Sequence, residues 1–207
     1  MSSEVELERP LAPPCGPEGN TRRRGETLER AIFDAVLYQL QTVGYAGLTM
    51  EGIAGCARTG KAALYRRWDS KEDLVVDALN HMLPPVADLP DHGNLRDDLL
   101  ELLRRMTEMV NSPTGCALRY LLGDIDHDHP FMQLVHERVL KPRKLMFQTV
   151  LKRAVERGEA RPEALNVLLT EVGPAMVAQR FLADGPPVPD DFVISVVDDV
   201  VMPLLRA

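Results

Sequence analysis

The apolar residues of this chain recur at spacings of three and four almost from end to end, and that period constrains the fold more than any other feature. Leu28, Ala31, Ile32, Ala35, Val36, Leu40 and Val43 mark one buried face of a first helix. Gly44 is expected to end it in a left-handed conformation, with Tyr45-Ala46-Gly47 as the turn. Thr49 then caps a short helix containing Ile53 and Ala54, and a second short helix covers about Lys61 to Arg67. Ser70 caps the next, with Asp73 three residues on. Asn94 caps a long amphipathic helix through Leu95, Leu99, Leu102, Met106 and Met109. Pro113 and Gly115 are expected to break it before a short helix near Cys116 to Leu122. Further helices are expected over Phe131–Arg157, with a kink at Pro142, from Pro162 to about Ala183, and over Asp191–Leu205. No hairpin signal, internal repeat or nucleotide-binding glycine motif is visible, so the fold class is all-α.

Pro84, Pro85 and Pro90 interrupt the pattern and divide a small N-terminal unit, 21–83, from a larger C-terminal one, 94–207. Residues 1–20, with four prolines and four glutamates and no apolar run, read as a disordered tail rather than a signal peptide. No segment approaches the ~20 apolar residues of a membrane span, so no membrane partner is expected. Cys15, Cys56 and Cys116 have no metal-binding spacing and point to a reduced, cytoplasmic setting.

Charge is unevenly placed. The chain carries a net −7, yet Asn20–Glu72 holds nine basic and six acidic residues. A basic module on an acidic body implies an anionic partner for that module alone. The stretch "TGKAALYRRWDSKEDL", residues 59 to 74, concentrates the feature. Two short helices joined by "CARTG" beside a longer one form a three-helix, helix-turn-helix unit. Its second short helix offers Lys61, Ala62 and Ala63 in the first turn. Small side chains admit close approach to base edges, and Lys61 can reach a guanine or a phosphate. Tyr65, Arg66, Arg67 and Lys71 can donate to phosphate oxygens and fix the register on double-stranded DNA. Leu64 and Trp68 are expected to point back, one into the core and one against the following helix. Arg22, Arg23 and Arg24 form an arm that can touch phosphate or the minor groove, or else a plain charged tail.

These residues resemble the N-terminal domain of the tetracycline-repressor (TetR) family of bacterial transcriptional regulators. The resemblance spans Thr27 to Leu79, and its most specific parts are "GYAGLTMEGIA", "LYRRW" and "SKEDL". It implies an all-helical homodimer with an N-terminal DNA-binding domain and a C-terminal helical domain for ligand and dimer contacts. It also implies a palindromic DNA operator and release by a small-molecule effector, with no cofactor and no enzymatic activity. Carried over by position, Thr49 caps the second helix near a phosphate, Lys61, Ala62, Ala63 and Arg66 face the major groove, and Tyr65 and Lys71 hold the backbone. The family usually has Gly-Val-Ser where this chain has Arg58-Thr59-Gly60, so Arg58 is expected to need a strained backbone.

In the C-terminal half Met106, Met109, Tyr120, Leu121, Phe131, Met132, Met146, Phe147, Met176 and Phe181 are candidates to line a pocket, or are ordinary core. Few positive charges interrupt these faces, which favours an apolar or cationic effector. In "EVGPAMVAQRFL" and "FVISVVDDVVMPLLRA", Gly173, Ala175 and Ala178 permit close helix approach. Val196, Val197, Val200 and Val201 need cover, from the subunit's own core or from a two-fold dimer interface. "DIDHDHP" raises a metal-dependent hydrolase as an alternative, and a helical interaction protein is another. Helical spacing prevents His127 and His129 from chelating together, and Pro130 biases His129 away from helix. Asp124, Asp126 and Asp128 are competent ligands as well, but a helix starting at Pro130 finds Asp128 and His129 at its entry, where Asp128 offsets the positive end, so no metal is expected.

Overall fold

A computed structural model describes residues 25–83, 86, 89, 91–125 and 128–206, and every regular element among them is helical. The N-terminal unit holds α1 (Glu26–Gly47), α2 (Met50–Cys56), α3 (Lys61–Tyr65) and α4 (Lys71–Met82). Gly44 breaks α1 as expected, with φ 69° and ψ 178°, and the chain resumes for one turn beyond it. Ala31, Ile32, Ala35, Val36 and Leu40 are buried. Leu28 is half-buried, and Val43 is 53% exposed in the last turn before Gly44. Thr49 and Ser70 cap α2 and α4 by accepting the N–H of Gly52 and of Asp73, both at 3.0 Å. The prolines at 84, 85 and 90, the tail and the Arg22–Arg24 arm lie outside the described residues.

The rest comprises α5 (Leu95–Val110), α6 (Pro113–Asp124), α7 (Pro130–Val135), α8 (Lys141–Glu156), α9 (Val167–Asp184), α10 (Asp190–Ser195) and α11 (Met202–Leu205). Asn94 caps α5, accepting the Asp97 N–H at 2.9 Å. Pro113 and Gly115 begin α6 rather than precede it. Pro113 takes the first position, where a missing N–H costs nothing, and Ser112 Oγ accepts the Gly115 N–H. Pro162 opens only a 3₁₀ turn, Pro162–Ala164, and α9 starts at Val167 under an Asn166 cap.

The kink expected at Pro142 takes the form of a π-helical turn, His136–Leu140, that joins α7 to α8. A second π-helical turn, Val196–Val201, joins α10 to α11 just ahead of Pro203. In both, the wider turn makes room for a ring that would clash with the carbonyl four residues back.

Burial divides the helices into two cores, and the division does not follow the proline-rich boundary. The first gathers α1–α4 together with α6, α7 and the π-turn, through Ala117, Leu118, Leu121, Phe131 and Val139. The second gathers α5 and α8–α11. Phe131 explains part of this assignment, because its ring stacks on Tyr45 of α1, centroids 4.5 Å apart and 7° from parallel. The apolar residues of the last helix also find cover inside the subunit. Val196, Val197 and Val201 are 3% exposed or less, and a Cβ at Gly173 would stand 3.2 Å from Val201.

Candidate nucleic-acid interface

The reading element is short, so its position depends on its anchors. Leu64 is fully buried, and Trp68 is 4% exposed with its Nε1 donating to Asp77 Oδ2 of α4 at 3.0 Å. Phe33 of α1 meets the indole edge-on at 5.7 Å. Both anchors point back as the sequence predicts. The face left outward carries Lys61, Ala62, Tyr65, Arg66 and Arg67, all exposed, with Ala63 half-buried at its edge. Regular helix ends at Tyr65, two residues earlier than expected. Arg66 and Arg67 continue in a turn that still closes onto Ala62 and Leu64. Arg67 Nη1 reaches the Ala63 carbonyl at 3.3 Å.

Two further cations, Lys61 and Lys71, have partners outside the reading element. Lys61 pairs with Glu51 of α2 and lies 5.6 Å from the Tyr65 ring centroid. That contact raises the Lys61 pKa and lowers that of Glu51, chiefly through their hydrogen bond. Lys71 sits 4.1 Å from the Tyr45 ring centroid, and its Nζ donates to the Tyr45 carbonyl at 3.3 Å, at the end of α1. The Tyr45 hydroxyl donates to Glu72 at 2.6 Å, and burial and that carboxylate push its pKa well up. Thr49 is exposed beside α2, where a phosphate can reach it. The turn bears out the strain expected of it: Arg58 has φ 53°, the one non-glycine residue with positive φ among those described. Glu51 was not legible as part of this surface, because ten residues separate it from Lys61 and no periodicity joins the two helices.

The residues suggested as a pocket are divided between the cores. Leu121 and Phe131, with Met132 against them, belong to the first. Phe147 and Phe181, with Met106, Met146 and Met176, belong to the second, and Met109 touches both. Tyr120 is 57% exposed and borders an open cleft of about 490 Å³ between α1 and α6, with Gln41, Gly44 and Arg119. Between α5, α8, α9 and the last helix, a cavity of about 10 Å³ takes only Phe147 from that group. This is room for about one water molecule.

At the "DIDHDHP" segment, Asp126 and His127 lie outside the described residues. His129 is the cap of α7, its Nδ1 accepting the Phe131 N–H at 3.2 Å, with Pro130 in the first position. The capping role thus falls to His129, next to the aspartate expected to fill it.

A basic, two-anchor reading helix behind a capped partner helix defines a helix-turn-helix DNA-binding protein. Comparison with known proteins agrees along most of the chain. Residues 32–78 match the family model described as bacterial regulatory proteins, tetR family, and residues 89–200 match the tetracyclin repressor-like C-terminal domain. An "uncharacterized HTH-type transcriptional regulator" of Mycobacterium tuberculosis is 33% identical over 86% of this chain and 87% of its own length. The "DNA-binding transcriptional repressor TetR" of Mycobacteroides abscessus is 31% identical over 88% of this chain and 96% of its own. The solved structure of the TetR family transcription regulator SCO0332 superposes with a TM-score of 0.63 at 30% identity, covering 85% of this chain and 97% of that one. The chain belongs to the TetR family and is a DNA-binding transcriptional regulator.

Proposed function

We propose that this protein is a repressor that binds a palindromic operator as a homodimer in the cytoplasm and is released by a small apolar or cationic effector. The observation that carries the reading is the α3 surface, with five exposed residues, three of them basic, held out by two buried anchors. In this reading Lys61, Ala62, Ala63 and Arg66 meet base edges, while Thr49, Tyr65, Arg67 and Lys71 hold phosphates. The named repressor from Mycobacteroides abscessus supports the sign of regulation. The surface of α9 supports the dimer: Val167, Leu168 and Leu182 are 62%, 81% and 48% exposed. A two-fold axis along that helix would cover all of them.

The effector acts in the second core, against which Met106, Met146 and Met176 pack as adaptable side chains. Because the space there is about 10 Å³, a ligand must move helices to enter. Such a displacement is the differential between two states that release requires. Selection of bound fragments from a random DNA pool, using the full chain, tests the proposal. The expected product is a pair of inverted half-sites, and a pool that shows no enrichment after repeated rounds would refute it.

A further inference from the structure

The Trp68 anchor and the Ser70 cap are held by aspartates of α4, and those aspartates are held in turn by a side chain from the other half of the chain. Asp77 accepts the Trp68 indole N–H through Oδ2, while its Oδ1 receives Arg138 Nη2 at 3.2 Å. Asp73 repeats the arrangement. Its Oδ2 accepts the Ser70 hydroxyl at 2.6 Å, while its Oδ1 receives Arg138 Nη1 at 2.9 Å. Each carboxylate therefore turns one oxygen to the segment that follows the reading helix and the other to a single guanidinium. Arg138 stands in the π-turn between α7 and α8, on the C-terminal side of the proline-rich boundary.

The backbone is tied at the same place. Pro142 has no N–H to offer the Arg138 carbonyl four residues back, and Asn80 of α4 supplies the donor instead, Nδ2 to O at 3.1 Å. Arg143 Nη1 donates both to Asn80 Oδ1 at 3.3 Å and to the Val139 carbonyl at 2.7 Å. A planar fork can bridge two carboxylates at once, which an ammonium cannot do with fixed direction. The side chains of Arg138, Asp73 and Asp77 are 43%, 37% and 43% exposed, so these pairs contribute little to folding stability. Their geometry serves direction more than stability.

We infer that Arg138 is a positioning residue for DNA reading, fixing the orientation of α3 relative to the α7–α8 junction, and through α8 to the second core, by way of Asp77–Trp68 and Asp73–Ser70. The inference rests on the dimeric operator reading proposed above. In a dimer the separation of the two reading helices is set by how each docks on its own C-terminal body. Arg138 therefore governs how strictly the protein demands one half-site spacing. A movement of the π-turn reaches α3 by the same route.

The test uses full-length protein and the DNA site that the wild type selects from a random pool. The same half-sites are then set one and two base pairs closer and further apart. Wild type, Arg138→Gln and Arg138→Lys are compared on this series, on random DNA and by thermal unfolding. The expected result is that both variants lose about tenfold of the preference for the selected spacing, while random-DNA affinity and melting temperature stay near wild type. Lysine fails to rescue because it keeps the charge but not the fork. Unchanged spacing preference in either variant, or an equal loss at every spacing, would overturn the inference, as would a large fall in melting temperature in both. If the wild type selects no site, the operator reading itself fails and this inference with it.

Discussion

Two of the solvent-facing helices of this subunit differ sharply in the chemistry they expose. α3 exposes lysine, arginine, tyrosine and alanine around two buried anchors. α9 exposes Val167, Leu168, Ala175, Leu182 and Ala183, with Gln179, Arg180 and Asp184 near its end, along an eighteen-residue helix. A short cationic face gains by meeting a polyanion, whose counterions it releases. A long apolar face gains only by leaving water, at about 25 cal/mol per Å² removed. The contrast supports the proposed pairing of one helix with DNA and of the other with a second copy of the chain. It also makes the two surfaces separable by substitution.

The largest effect is expected from Leu168→Glu, at the most exposed of the apolar residues. A carboxylate there leaves the monomer fold intact and forbids burial against a partner. Sedimentation at micromolar concentration should change from dimer to monomer, and affinity for the selected operator should fall by more than about a hundredfold, since the two half-sites are then bound independently. A dimer that persists in this variant would place the interface elsewhere.

On the α3 surface, Lys61→Ala and Arg66→Ala should each cost about 1–3 kcal/mol on the operator, with relaxed preference at the base pair concerned. Electrophoretic mobility shift with single-base operator variants reads this directly. Tyr65→Phe should weaken operator and random DNA alike, because a phosphate contact positions without specifying. Equal losses on both DNAs for all three substitutions would show that none of these side chains reads bases.

Lys71→Ala sharpens the comparison at a smaller scale. Its ammonium already serves the Tyr45 ring and carbonyl. If it also meets a phosphate, the logarithmic salt dependence of binding should lose about one unit of slope. An unchanged slope with a lowered melting temperature would assign the residue to α1 alone.

The same contrast separates what the sequence discloses from what it hides. The reading unit is built from local signals: the Thr49 and Ser70 caps and the Gly44 break act within a few residues of themselves, and the Leu64 and Trp68 anchors follow from the apolar face of a short helix. Each could be placed from side-chain chemistry and helical period. The C-terminal half depends on pairings across many residues. Met106 and Phe131 share an apolar pattern, yet Phe131 is drawn to Tyr45 in the first core and Met106 packs on the second. Val196 and Val201 read equally well as interface or interior, and both are buried within the subunit, Val201 under the close approach of Gly173. Arg138 gave no local signal at all. Its partners lie 61 and 65 residues away, and only the π-turn ahead of Pro142 brings it to them.

The smallest effect concerns acid, where the two surfaces again differ. Around α9 the last helix is stapled to α5 by paired forks. Arg96 grips Asp198 at 2.6 and 2.8 Å, and Arg104 grips Asp190 at 2.7 and 2.9 Å. These hydrogen bonds hold both carboxyls below their usual range. A carboxyl depressed in the folded state stabilises the fold at every pH above its unfolded value, about 4 for aspartate, and that contribution fades as pH falls through the lower folded value. All four side chains are 36% exposed or more, so solvent screens the pairs and the effect is modest. The double variant Arg96→Met with Arg104→Met should therefore melt slightly below wild type from pH 8 to pH 5. The gap should close below about pH 4, as the wild-type aspartates protonate and lose their partners too. On α3, Arg66→Ala should show no such convergence, because its loss appears only with DNA present. A gap between the double variant and wild type that stays constant into acid would mean that the arginine stems, packed along α5, matter more than their charges.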